Sequence, residues 1–164
     1  MSRLDTFIAR LQAQKILLEM AASQLKLDGL PGPVVELGLG NGRTYDHLRQ
    51  LMPDRRIIAF DRALEANPKS VPPPEDLVLG DIAVTGPAFA VRFGAVGALL
   101  HADLGNGVPA NEARLQAWLP GVVHALVRPG ALVISSTRLE HPEIKAIPLP
   151  PEVPAGRYYA YVRD

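Results

Sequence analysis

Apolar side chains recur with helical spacing over residues 3–27. The members of the shared face are Leu4, Ile8, Leu11, Leu18, Ala22 and Leu25. Ser2 stands before this segment as a predicted N-cap, and Asp28-Gly29 follows it as a stop. The pattern predicts a long amphipathic N-terminal helix that packs on the rest of the fold.

The following segments alternate between short apolar runs and helical patterns. The predicted strands are 33–37, 56–60, 77–79, 96–101 and 131–135. The predicted helices between them are 43–52, a short one from Thr85 to Gly94, and 111–127 with a bend at Pro120-Gly121. Because the apolar runs do not alternate with polar residues, we expect a parallel sheet buried on both faces by helices. The pattern therefore predicts a three-layer α/β fold.

Two connections between predicted strands are short of helix-forming sequence. Prolines at 68 and 72–74 exclude a long helix between residues 61 and 77, so an extended loop is predicted there. The link from 136 to 144 is also too short for a helix, and 144–147 is predicted only as a short strand. The last segment, 157–162, predicts an antiparallel strand at the sheet edge.

Length and composition indicate a single domain over residues 1–164, made of the N-terminal helix, a core over about 30–136 and a C-terminal strand region over 144–164. Lys plus Arg and Asp plus Glu both number 17, so no nucleic-acid or membrane partner is expected. Cysteine is absent, which excludes disulfides and thiolate metal sites. With no secretory signal or membrane-spanning run, a cytoplasmic location is expected.

The stretch from Val34 to Thr44 (V-V-E-L-G-L-G-N-G-R-T) predicts a buried strand, a glycine turn and a helix start. Gly38, Gly40 and Gly42 allow the backbone to approach a ligand. Ligands of open α/β sheets bind at the carboxyl ends of the strands. Acidic residues end four predicted strands there: Glu36, Asp61, Asp81 and Asp103. Such acids suit a ligand that carries positive charge or many hydroxyl and amino donors.

The segment Glu36–Gly42 resembles the E/D-x-G-x-G-x-G signature of class I S-adenosylmethionine-dependent methyltransferases. The resemblance spans roughly residues 30–136 and includes Asp61, Gly80-Asp81-Ile82, 101–104 (H-A-D-L) and 126–130 (L-V-R-P-G). A dinucleotide site would instead need its third glycine at position 43, which is Arg43. The glycine spacing therefore favours adenosylmethionine over a nicotinamide cofactor.

The resemblance implies a role for each matching residue. The turn, consisting of Gly38, Leu39, Gly40, Asn41 and Gly42, would pass under the methionine and ribose. Glu36 would order that turn or reach the amino group through water. Asp61 would bind the ribose hydroxyls, with Arg62 next to it. Asp81 and the Ile82 N–H would bind adenine; the alternative explanation of Asp81 is a cap on the helix that follows. The resemblance also implies a Rossmann-like methyltransferase fold.

Asp103 and His101 are the candidate catalytic residues, with Asn106 and Tyr45 behind them. His101 could equally point into packing. No metal site is predicted, because 135–137 reads Ser-Ser-Thr where metal-dependent catechol-type enzymes carry Asp-Asn. The N/D-P-P-Y/F motif of enzymes that methylate bases or glutamine is also missing after the fourth strand, which counts against those acceptors.

These observations predict a methyltransferase that uses S-adenosyl-L-methionine and acts on a small molecule, because the chain has no room for an inserted substrate domain. One alternative is a module that binds the cofactor without turnover. A nicotinamide-dependent oxidoreductase is a further alternative, disfavoured by Arg43. The small size and the apolar first helix lead us to expect a homo-oligomer.

Overall fold

A central sheet of seven strands lies between two layers of helices in the computed structural model, which describes residues 1–164. The strands are β1 Val34–Leu37, β2 Ile57–Asp61, β3 Leu77–Leu79, β4 Gly97–Ala102, β5 Val127–Ser135, β6 Ile144–Ala146 and β7 Tyr159–Arg163. The α-helices are α1 Arg3–Asp28, α2 Arg43–Leu51, α3 Ile82–Phe93, α4 Pro109–Gln116 and α5 Leu119–Leu126. No helix has an apolar stretch of the length that a bilayer crossing needs.

The strand order is β3-β2-β1-β4-β5-β7-β6, with β1 to β5 parallel. The final strand, β7, runs antiparallel to β5, as predicted, but it is not the edge strand, because β6 pairs on its outer side. The chain order reverses between β1 and β4, which is the switch point where open α/β sheets bind ligands. The α/β fold with a mostly parallel sheet is therefore confirmed.

Each strand of the sheet centre is covered on both faces. Val34, Ile57 and Leu99 pack in the apolar cluster that contains α1. The neighbouring residues Val35 and Ile58 pack in the second cluster, which contains α5. Burial on both faces explains why the sequence shows continuous apolar runs rather than alternation.

The N-terminal helix begins at a capping box formed by Ser2 and Asp5 and ends at Gly29, whose φ is 63°. The side chains on one face of this helix are buried from Ala13 to Leu25. In contrast, Leu4 and Ile8 on the first turns are 65% and 44% exposed. This helix of 26 residues is about 39 Å long. The sheet covers the part that begins near Ala13, and the first turns extend past the sheet.

Three predicted boundaries were wrong. The helix predicted from Thr85 begins at Ile82, because the Asp81 side chain accepts a hydrogen bond from the Ala83 N–H and caps it, and Pro87 lies inside the helix. The single helix predicted over 111–127 is two helices, α4 and α5, which break at residues 117–118. Strand β5 begins at Val127 because this residue pairs with Gly97.

The β2–β3 and β5–β6 connections lack an α-helix, as predicted. Between β2 and β3 the chain forms only two short 3-10 turns, Pro68–Ser70 and Pro74–Asp76, with extended segments around them. The link from β5 to β6 contains no helix. As a result, no inserted structure covers the carboxyl edge of β1, β2 and β4.

Candidate functional site

The glycine turn joins β1 to α2 with three residues at positive φ: Gly38 (90°), Gly40 (51°) and Gly42 (88°). A Cβ at Gly38 would lie 2.9 Å from the Leu104 side chain, and one at Gly42 would lie 2.6 Å from the Ser70 Cβ. A Cβ at Gly40 would meet no atom within 4 Å. The turn is thus held between the loop after β4 and the β2–β3 loop, while its centre faces open space.

Substitution of Gly42 by alanine should destabilise the fold more than the matched change at Gly40. Both variants incur the penalty of a positive φ, but only Gly42→Ala adds a collision with Ser70. We expect the difference in free energy of unfolding to be about 1–3 kcal/mol. Urea denaturation of the two variants measures it, and equal losses would contradict the packing described here.

One cavity is lined by the glycine turn, and a second adjoins the first. The first, of about 350 Å³, is lined by the turn from Gly38 to Gly42 together with Asp61 and Asp103. The second, of about 370 Å³, is lined by residues that include Asp61, Arg62, Asp81 and Ile82. They meet at Asp61 and Leu104. Every residue predicted for cofactor binding lines one of the two cavities, except Glu36.

The acidic residues of the cavities are partly engaged by backbone groups. Asp61 accepts hydrogen bonds from the Gly40 N–H at 2.7 Å and from the Arg62 N–H at 2.6 Å. Asp81 caps α3, as the alternative explanation held, and still lines the second cavity. Ile82 is the first residue of α3, a position whose N–H has no partner within the helix. This end of the second cavity therefore offers a carboxylate beside a free donor.

A buried polar cluster lies between the sheet and α1. Glu36 on β1 and His101 on β4 are register partners, and both are fully buried. The Nδ1 atom of His101 lies 2.9 and 3.0 Å from the two carboxylate oxygens of Glu36. The Thr44 hydroxyl, at the start of α2, donates to the same carboxylate. Glu36 therefore lies on the buried side of the glycine turn, where it binds Thr44, and does not face the cavity.

The cluster continues to the cavity wall through three residues that sequence analysis missed, Arg10, Gln14 and Tyr158. The Tyr158 hydroxyl lies 2.9 Å from Nε2 of His101. The Gln14 amide donates to that hydroxyl at 2.8 Å and to Asp103 at 3.1 Å, and Arg10 forms an ion pair with Asp103. One signal was available, since Gln14 is a polar residue on the apolar face of α1.

The electrostatics of this cluster are set by burial and by Glu36. Burial opposes a charge on His101, but the adjacent Glu36 carboxylate, with help from Asp103, outweighs it and raises the pKa of His101 above its ordinary value. Burial raises the pKa of Tyr158 well above its ordinary value, so this side chain stays protonated at neutral pH. His101 lines neither cavity. It therefore contacts the cavity wall only indirectly, through Tyr158 and Gln14.

The raised pKa of His101 predicts a pH-dependent stability. A folded-state pKa above the unfolded value, about 6.5, means that this contribution is fully present below that pH and is lost as the pH rises through the folded-state value. As the pH rises above about 6.5, the melting temperature should therefore fall more steeply in the natural protein than in His101→Gln. If the melting temperature depended on pH equally in both proteins, the predicted contribution of His101 would be contradicted.

Comparison with known proteins identifies the family. The S-adenosyl-L-methionine methyltransferase family profile matches residues 1–163. The chain belongs to this family. A solved S-adenosyl-L-methionine methyl transferase from Silicibacter pomeroyi DSS-3 is 44% identical, with 99% of each chain covered and a TM-score of 0.92. No curated protein sequence shows significant similarity.

More distant structures share only the fold of this methyltransferase. The antibiotic-resistance methyltransferase Kmr is 16% identical, with a TM-score of 0.51 over 85% of this chain and 90% of that one. The fibrillarin/Nop5p complex gives 16% identity and a TM-score of 0.57 over 81% of this chain and 73% of that one. The predicted family and enzyme class are confirmed by the family match and the bacterial structure.

The residues of the site fit the cosubstrate that the family uses. The glycine turn leaves open space at Gly40, where a side chain would fill it. The first cavity extends from that point and adjoins the second at Asp61 and Leu104. Carboxylates line both cavities, which suits a ligand with ammonium, sulfonium and hydroxyl groups. In this methyltransferase, residues 38–42 and Asp103 would hold the methionine part, Asp61 the ribose, and Asp81 with Ile82 the adenine.

A second group of titratable side chains, His124, His141 and Glu143, lies outside this site. Their ligand atoms lie within 4.8 Å of one another, close enough to hold a metal ion. The two imidazoles stack, however, with centroids 4.3 Å apart, so their in-plane lone pairs do not converge. Burial and the nearby Arg163 lower the pKa of His124. We assign the group to packing, and the expected lack of a metal site stays a prediction.

Proposed function

We propose that this methyltransferase acts on a small molecule bound in a third cavity, next to the glycine turn. This cavity, of about 910 Å³, lies between the start of α1 and the loops after β4 and β5. It shares Phe7 and Arg10 with the cavity of the glycine turn. This adjacency carries the proposal, because a methyl acceptor must lie beside the methionine end of the cosubstrate.

The size and cover of the third cavity support a small acceptor. Small-molecule sites usually measure about 300–1,000 Å³, and this cavity falls within that range. Its wall comes from α1, which includes Leu4 and Phe7, and from short loops. Because these elements cover the site without an added domain, a macromolecular acceptor would have little specific surface to bind.

The reaction requires little covalent work from the protein. When bound, S-adenosyl-L-methionine supplies a methyl group whose bond to the positive sulfur breaks with the electron pair left on sulfur. The protein contributes placement of the acceptor and removal of its proton. Asp103 is the proposed proton acceptor, because its carboxylate lines the cavity of the glycine turn, where Gln14 and Arg10 hold it in place, and Arg10 also lines the third cavity. His101 is a positioning residue.

Methyl transfer to a fractionated lysate tests the proposed function. The protein is incubated with labelled S-adenosyl-L-methionine and either the small-molecule fraction or the nucleic acid and protein fraction. We expect label in the small-molecule fraction alone. Label only in macromolecules would contradict the proposal, and cosubstrate binding without any transfer would favour the inactive module.

We also propose that two copies associate through the first turns of α1. Leu4, Phe7, Ile8 and Leu11 are 65%, 49%, 44% and 38% exposed, and together they form an apolar stripe. Light scattering should show a dimer that Ile8→Asp dissociates. A strict monomer at high protein concentration would contradict this proposal.

A further inference from the structure

The third cavity has an unusual charge lining. Its only charged side chains are three arginines, Arg3, Arg10 and Arg157, and no acidic residue lines it. The chain as a whole has equal numbers of basic and acidic residues. The positive lining is therefore a local property of this cavity and does not follow from composition.

Two of these arginines have no carboxylate partner. Arg10 is neutralised by Asp103. Neither Arg3 nor Arg157 forms an ion pair within 4.0 Å. The half-buried Arg157 has only the Met1 sulfur within reach, at 3.7 Å, and a thioether is a weak acceptor. Two guanidinium groups are thus available to a ligand.

The neutral polar groups of the cavity are already largely used within the protein. The Ser136 hydroxyl accepts from the Gly105 N–H at 3.1 Å, and the Thr6 hydroxyl donates to a backbone carbonyl. The Asn106 side-chain oxygen accepts from the Val108 N–H. The donors that stay free are the arginines, the Ser136 O–H and the Asn106 amide, and the planar forks of the arginines match carboxylate and phosphate oxygens.

Resting on the proposed function, we propose that the methyl acceptor carries a carboxylate or phosphate group that Arg3 and Arg157 bind. This contact holds the acceptor in the third cavity, with its attacking atom directed toward Asp103. Arg10 stands at the boundary between the two cavities and is neutralised already. It is therefore left to position Asp103 instead of binding the acidic group.

The test separates the small molecules of a lysate by anion exchange before methylation. The retained anions and the unretained molecules are each incubated with the protein and labelled S-adenosyl-L-methionine. We expect transfer to the retained fraction. In Arg157→Met, the amount of that fraction needed for half-maximal rate should rise about tenfold or more, because two charge-assisted hydrogen bonds are lost. Arg3→Met should act in the same direction.

Arg138→Met is the matched control, because Arg138 is 70% exposed, pairs with Glu140 and does not line the cavity. Titration calorimetry with S-adenosyl-L-homocysteine should give the same affinity in all variants, which shows that the fold is intact. Transfer to the unretained fraction alone, or an Arg157→Met that matches the control, would overturn the inference and leave the proposed function standing. Transfer to neither fraction would overturn both.

Discussion

Replacement of Asp103 by asparagine is expected to lower the rate of methyl transfer by about 100-fold or more, the usual contribution of a proton-transfer group. The change removes the carboxylate that lines the cavity and that holds Arg10 and Gln14. It keeps the size of the side chain, so the loss should fall on the rate and not on folding. The rate is measured at saturating S-adenosyl-L-methionine with the acceptor fraction.

Glu140→Gln is the control for this prediction, because Glu140 is 69% exposed and pairs only with Arg138. It should leave the rate unchanged. If Asp103→Asn kept a rate within a few-fold of the natural protein, proton removal by Asp103 would be excluded. The residue would then keep its place beside the methionine part of the cosubstrate and its bonds to Arg10 and Gln14.

The largest loss of stability is expected from Glu36→Ala. Glu36 is fully buried, and its carboxylate is bonded to His101 and Thr44. Removal of one member of a buried pair usually costs about 3–5 kcal/mol, because the other member stays buried without a partner. Urea denaturation measures the free energy of unfolding of the variant.

Glu19→Ala serves as the exposed comparison, because Glu19 pairs with Lys15 at 3.2 Å and is 41% exposed. Its loss should be about 1 kcal/mol or less. The pair Glu36→Ala and His101→Ala should be strongly non-additive, since each change removes the same interaction. Additive losses would mean that Glu36 contributes through packing alone.

The N-terminal helix and the strands β1 to β5 were predictable because their signals lie in short stretches of sequence. Strands buried on both faces have continuous apolar runs, and the glycine turn follows β1 directly. The start of α3 was predicted incorrectly because Thr85 and Pro87 form a plausible helix start, whereas Asp81 caps the helix one turn earlier. Local sequence could not decide between two competing caps.

The residues predicted for the cofactor can be proposed from the sequence because they lie within, at or just after the end of a predicted strand. The residues of the buried polar cluster could not be predicted in this way. Gln14 and Tyr158 are 144 positions apart and meet only because α1 crosses the sheet face at β4 and the segment before β7 ends beside it. Arg3 and Arg157 likewise line one cavity from opposite ends of the chain. Such pairings depend on tertiary packing, which no local pattern encodes.

We propose that the methyl donor lies at the glycine turn with its reactive end toward the third cavity. A crystal structure with S-adenosyl-L-homocysteine tests this arrangement. We expect adenine beside Asp81 and Ile82, and sulfur near Asp103 with an open path to the cavity of Arg3 and Arg157. A product bound elsewhere, or one whose sulfur is closed off from that cavity, would contradict it.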